Sequence, residues 1–261
     1  MLPRSSVLLV ALLLICSCAF AQTPSRYIHV FVALADNEHQ GIVPVPATLG
    51  NGDDPARNLY WGAAFGVRTF FRHSPEWKEA LLFQKPSPAV LERSVFKNQA
   101  KGVMLIADAY RGSEIKQALT DFFRAAAGMP DKEAVMGGAI GGVIFQDPSV
   151  ADLVVYVGHD GLMDFPVTVD FAGHANTSRP AIVLACASKS FFRDNLRASG
   201  ATPLLWTTGL MAPEAYTLKA AVDGWMAGES RDEIRRRAAE AYAKYQKISD
   251  GAALRLFSSD W

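Results

Sequence analysis

Cysteine is almost missing from this chain: of 261 residues three are Cys, and two of these, Cys16 and Cys18, lie in the apolar amino-terminal segment. Cys186 is the only other one, so no internal disulfide can form outside that segment. Net charge is missing too, because 26 Lys and Arg balance 26 Asp and Glu. That balance gives no electrostatic reason to expect nucleic acid or an anionic membrane surface as partner. Beyond the amino terminus there is no apolar run long enough to span a bilayer. The glycine-rich stretch Gly137-Gly138-Ala139-Ile140-Gly141-Gly142 lacks the Lys-Ser/Thr of a P-loop and follows no clear strand, so it reads as a mobile connection. No His-x-x-x-His or comparable spacing marks a metal site.

The amino terminus carries a secretory signal pattern: Arg4, an apolar run over 7–15, and the small-residue cleavage pattern Ala19-Phe20-Ala21 before Gln22. Residues 1–21 are expected to be the signal, and 22–261 a single α/β domain in the periplasm or outside the cell. A lipoprotein acylated at Cys16 or Cys18 is the alternative, disfavoured by bulky Ile15 before Cys16. In an exported protein an unpaired thiol is exposed to oxidation. Cys186 is therefore expected either to be buried as a small hydrophobe or to use its thiol.

Short apolar runs recur at 27–34, 103–107, 153–157, 181–185 and 203–206, and read as strands buried on both faces. Helical periodicity separates several of them, through Leu59, Ala63, Val67 and Phe70 and through Ile115, Leu119, Phe122 and Ala126. This alternation predicts a mostly parallel sheet flanked by helices. Two helices close the chain, the first opening near Pro213 and stopping at Gly228, the second opening with the capping box Ser230 to Glu233 and running through Lys247. The Pro-, Gly- and Asp-rich residues 41–55 form a long loop after the first strand.

In an open parallel sheet, ligands bind beyond the carboxyl ends of the strands. The polar residues that follow the runs are therefore the site candidates: Asp36 and Asn37, Asp108, His159, Cys186, and Thr207 with Thr208. If the 153–157 and 181–185 strands are neighbours, His159 and Cys186 meet on one rim. An imidazole there would favour the thiolate and later protonate a leaving group, and the backbone amides of Gly161 and Cys186 would be the oxyanion donors. Taken alone, His159 is better explained as a strand-end histidine satisfied by a neighbouring carboxylate such as Asp160 or Asp164.

The sequence Leu153-Val154-Val155-Tyr156-Val157-Gly158-His159-Asp160-Gly161, followed by Ala181-Ile182-Val183-Leu184-Ala185-Cys186, resembles the strand-His-Gly and strand-Ala-Cys pattern of caspase-like cysteine peptidases, the group of legumains, caspases, gingipains and separases. Trp206-Thr207-Thr208-Gly209 to Tyr216 is similar to the pocket-lining segment of legumains. The likeness covers the half of the chain from Leu153 onward. It implies a three-layer caspase-like sandwich without cofactor or metal, His159 and Cys186 as the catalytic pair, Gly161 in the oxyanion hole, Trp206, Thr207 and Thr208 along the substrate, and a peptide or protein as substrate. Asp160 departs from the pattern, because it intervenes where the glycine should follow the histidine directly. The chain as a whole resembles bacterial exported proteins, a likeness that implies no activity.

Two other readings stay open. A degenerate caspase-like protein would bind a peptide or protein partner at the same rim. A metal-dependent hydrolase would draw ligands from Asp36, His39, Asp53, Asp54, His159, Asp160 or His174.

Overall fold

The computed structural model describes residues 26–130, 139–140, 143–144, 150–173 and 178–261. Residues 1–21, expected from the sequence to be a signal, lie outside them, as do His174 and most of the 137–142 glycine stretch. In chain order the elements are β1 (Arg26–Ala33), α1 (Val67–Arg72), β2 (Lys78–Gln84), β3 (Val90–Asn98), β4 (Val103–Tyr110), α2 (Ile115–Ala126), β5 (Ala139–Ile140), β6 (Val143–Ile144), β7 (Leu153–Val157), β8 (Pro180–Leu184), α3 (Ser188–Phe191), α4 (Arg193–Ala198), β9 (Thr202–Thr207), α5 (Ala215–Ala227), α6 (Arg231–Gln246), α7 (Asp250–Leu256) and β10 (Phe257–Ser258).

Eight strands form one sheet in the order β10-β9-β8-β7-β1-β4-β3-β2, and β5 and β6 form a separate ribbon. The five strands expected from apolar runs are its contiguous parallel centre, β9-β8-β7-β1-β4. Their side chains alternate between two apolar layers, which is why they read as continuous apolar runs. Ile28, Val30 and Val32 of β1 pack with residues of α1, α5 and α6 on one face. Phe31 and Ala33 pack with α2 and α4 on the other. Chain reversal from β1 to β4 on one side and onward to β7 on the other places the topological switch at β1.

The closing helices obey their end signals. Gly228 caps α5 in the left-handed region, at φ 72°, and Ser230 and Glu233 form a reciprocal capping box at the start of α6. Pro213 lies just outside α5, whose N-cap is Glu214. The expected helix over 59–70 is only the short α1. Before it, Asn58 holds the chain in turns, its Oδ1 accepting from the amides of Ala35 and Tyr60 and its Nδ2 donating to the carbonyls of Ala35 and Asn51.

Asp108 is not at the rim, contrary to the sequence expectation. β4 continues to Tyr110, so Asp108 lies inside the sheet, in register with Phe31 of β1 and Arg93 of β3. Its carboxylate accepts from Arg93 Nε at 2.6 Å and Nη2 at 2.8 Å and faces His29 Nε2 at 2.8 Å. Burial alone would raise its pKa, but the Arg93 guanidinium and His29 outweigh burial and hold the carboxyl well below the usual range.

Removing one partner of such a buried pair strands the other, so Asp108→Ala is expected to cost about 3–5 kcal/mol at pH 7. Because the folded-state pKa is lowered, the benefit of ionised Asp108 is present above about pH 4 and fades as pH falls below it. Denaturant titrations of wild type and variant at pH 7 and pH 3 check this. The gap between them should narrow at pH 3, and an equal gap at both values would contradict it.

Candidate functional site

β7 and β8 pair in parallel, with Val157 opposite Leu184, and the Gly158 amide extends the ladder by donating to the Leu184 carbonyl at 3.2 Å. Two residues past that last pair stand His159 on one strand and Cys186 on the other. The two candidates therefore leave adjacent strands at the same carboxyl rim, as the sequence pattern predicts.

His159 enters a tight turn. A single 3-10 turn spans Gly161–Met163, and Asp160 caps it by accepting the Leu162 amide at 3.0 Å. The Tyr156 hydroxyl donates to the His159 carbonyl at 2.8 Å. The imidazole is buried, and its Nε2 meets Asp164 Oδ2 at 2.6 Å. This is the partner that the strand-end alternative names, and it is also the partner that a working imidazole base needs.

Cys186 sits in the turn between β8 and α3. The next residue, Ala187, adopts φ 46° and ψ 30°, a left-handed conformation that a non-glycine residue adopts at a cost of about 1–3 kcal/mol. A buried polar clamp holds it. Ser188 Oγ donates to the Val183 carbonyl at 3.1 Å and accepts the Thr207 amide at 3.0 Å. Thr207 Oγ1 bonds the Ala185 carbonyl and accepts the Ser188 amide at 3.2 Å. The Ala187 amide reaches the Gly209 carbonyl at 2.8 Å. The half-buried thiol is left with two long contacts, to the Met211 amide and carbonyl, each at 3.5 Å. Burial, and after it the nearby Cys186, raises the pKa of Tyr60; burial also raises that of Tyr242, opposed by the Ala212 amide and reinforced by Cys186. No hydrogen bond joins the imidazole to the thiol among the described residues.

The other sequence-predicted residues fall elsewhere. The Gly161 amide donates to the His159 carbonyl at 3.1 Å, and a Cβ on Gly161 would stand 2.8 Å from Phe165 and 3.1 Å from Ile115 and Leu119 of α2. Gly161 is packed under the helix layer with its amide in use, so it offers no oxyanion donor. Trp206 is fully buried, its Nε1 donating to the Asp260 carbonyl and its ring set edge-on to Trp261. Thr207 is equally buried in the clamp. Neither can line a substrate groove. Thr208 is exposed, but its hydroxyl is engaged by the carbonyls of Arg255 and Leu256 at 2.8 Å and 3.2 Å. Sequence reasoning missed the roles of Ser188, Met211, Tyr60 and Tyr242. Only Ser188 carried a signal, as a small hydroxyl two residues after the cysteine.

Of the residues of the metal reading His174 lies outside the described ones, and among the described residues no group of three or more His, Cys, Asp and Glu side chains is placed to share an ion. The loop after β1 instead forms a recess of about 260 Å³ lined by Asp36, Asn37, His39, Asn51 and Asp53 among others. Asp36 organises its mouth, Oδ1 accepting the Glu38 and His39 amides and Oδ2 facing His39 Nδ1 at 2.9 Å, while Arg111 pairs with Asp53.

Asp160 is the electrostatic anomaly of the site. It is fully buried, and its Oδ2 has no hydrogen-bond partner. Burial, reinforced by the neighbouring Asp164 charge and only partly opposed by the Leu162 amide, pushes its carboxyl up to about 7. A raised carboxyl stabilises the fold only while protonated, so this residue costs stability progressively between about pH 4 and about pH 7. Asp160→Asn is expected to match wild type near pH 4 and to exceed it at pH 8 by on the order of 2–4 kcal/mol. Thermal or urea unfolding at the two pH values checks the sign, and an Asn variant less stable at pH 8 would overturn it.

No family model, curated protein or solved structure matches this chain.

Proposed function

We propose that this chain is an exported cysteine peptidase with a caspase-like three-layer arrangement, in which Cys186 is the nucleophile and His159 the proton carrier. The observation that carries the reading is the β7–β8 register, which brings an imidazole and the single thiol of the described chain to equivalent positions on one rim. Support comes also from the strained Ala187 turn after Cys186, since such strain persists where surrounding structure over-determines it and clusters at working sites.

In this reading the Cys186 thiolate attacks the carbonyl carbon of a peptide bond, forming a C–S bond. The oxyanion is held by the Cys186 amide, because the Gly161 amide is spent on His159. The intermediate collapses with cleavage of the C–N bond, and the imidazolium gives its proton to the departing amine. Water then attacks the thioester while His159 takes up a proton, releasing the carboxylate product and restoring the thiol.

A second reading keeps the architecture and makes the rim a binding surface for a peptide or protein. It is favoured by the thiol bonding to Met211 and the imidazole to Asp164 rather than to each other, and by the burial of Trp206 and Thr207. A peptide-library cleavage assay separates the two. The peptidase reading expects turnover by wild type, loss of turnover in Cys186→Ala with unfolding behaviour within about 1 kcal/mol of wild type, and a decrease of at least about a hundredfold in kcat for His159→Ala. Library binding without cleavage, unchanged in Cys186→Ala, would establish the second reading.

A further inference from the structure

The deepest unexplained feature of the rim is how its histidine is held. Imidazole has two nitrogens, and the nitrogen bound by a carboxylate leaves the other to do the chemistry. Here Nε2 is the bound one, in close hydrogen-bond contact at 2.6 Å from Asp164 Oδ2.

The turn between them is built to deliver that carboxylate. The amides of Asp164 and Phe165 both donate to the Gly161 carbonyl at 3.0 Å, the Met163 amide donates to the Asp160 carbonyl at 3.1 Å, and Asp160 Oδ1 caps the Leu162 amide. A second element closes on the same group from the other side. Gly41, in the loop after β1, approaches so tightly that a Cβ there would stand 2.9 Å from Asp164 Oδ1 and 3.2 Å from Oδ2. Asp160 cannot do this work, since one oxygen is committed to Leu162 and the other is buried without a partner.

We propose that Asp164 is the positioning residue of the His159–Cys186 pair: by holding Nε2 it fixes the ring and makes Nδ1 the nitrogen that exchanges a proton with the thiol. The proposal rests on the peptidase reading above. In that role the Asp164 carboxylate orients the ring and balances the charge that His159 acquires when it takes the proton of the thiol. The titratable groups around this pair are Asp164 and Asp160 on the histidine's own turn, Tyr156 beneath it on β7, Tyr60 and Tyr242 beside Cys186, and Glu214, whose charge acts on both of those phenols. The phenols are held neutral by burial, which leaves Asp160 as the other group that ionises near neutrality.

The test measures the rate of iodoacetamide labelling of Cys186 against pH in the full-length protein, for wild type, His159→Ala, Asp164→Asn, Asp164→Glu and Gly41→Val, in an Asp160→Asn background as well as alone. Asp164→Asn should move the wild-type labelling limb upward by about one pH unit, toward His159→Ala, and Asp164→Glu should restore part of the shift. Gly41→Val, at an exposed loop position, should reproduce the shift in part by displacing the carboxylate. The limb should persist in the Asp160→Asn background. In the cleavage assay Asp164→Asn should lose at least about tenfold in kcat with little change in KM. If wild type and His159→Ala label identically, the dyad fails and Asp164 loses its role with it. If wild type depends on His159 but Asp164→Asn follows wild type in both assays, the dyad stands and the assignment of Asp164 is wrong.

Discussion

The parallel ladder between β7 and β8 is the constraint on which the rest of the site depends. Both strands are buried on both faces, so each backbone group must find its partner in a neighbouring strand, and register is set by burial as well as by hydrogen bonding. A slip by one residue would turn Val155, Val157, Ile182 and Leu184 out of the α5 and α6 layer and into that of α2. The same slip would separate His159 from Cys186. The packing that stabilises the domain is therefore also what aligns the two candidate groups.

Past the ends of these strands, the two turns are held differently. Cys186 is fixed by neutral hydroxyls: Ser188 and Thr207 are fully buried, Ser188 bonding backbone of β8 and β9 and Thr207 bonding the Ala185 carbonyl and the Ser188 amide, so the strained Ala187 conformation is enforced by a network with no charge to desolvate. His159 is held by the carboxylate of Asp164 at the solvent edge, while the buried Asp160 caps the turn that carries it. Asp108 and Asp160 show how partners decide the fate of a buried carboxyl. Asp108, with a bidentate guanidinium and a histidine, stays ionised despite full burial. Asp160, with one backbone amide and an orphaned oxygen, is driven toward the protonated form. A stability penalty retained beside the histidine, where a neutral residue would avoid it, marks the turn as a place where packing is not the only demand.

Much of this was legible in the sequence, and the failures share a cause. The five parallel strands could be read because burial on both faces writes an unbroken apolar run, and the caps of α5 and α6 because Gly228, Ser230 and Glu233 sit at their required positions. The β2–β3 hairpin was not legible. Its strand β3 carries Glu92, Arg93 and Ser94, which find partners in Trp61, Asp108 and Glu79, and none of these partners is near in sequence. Asp108 was misplaced for the same reason: a charge seemed to end the strand that it actually lies within. Thr207 reads as a rim residue because it follows an apolar run, and Trp206 as a pocket residue through the likeness to legumains, whereas the carboxyl end of β9 is covered by β10 and the last residues of the chain. The candidate pair itself was legible, and Asp160 and Asp164 were both in view as partners of His159, but the choice of Asp164 required the geometry of a turn that no spacing rule encodes.

The central claim is that the rim carries an activated thiol poised to acylate, and a peptidyl electrophile that reacts only with an aligned nucleophile tests it most directly. Native protein incubated with a peptidyl acyloxymethyl ketone mixture at pH 7 and mapped by mass spectrometry should carry the adduct on Cys186 in wild type and, at a rate reduced by at least about tenfold, in His159→Ala. A wild-type thiol that stays unmodified, or one that reacts equally fast without His159, would contradict the account.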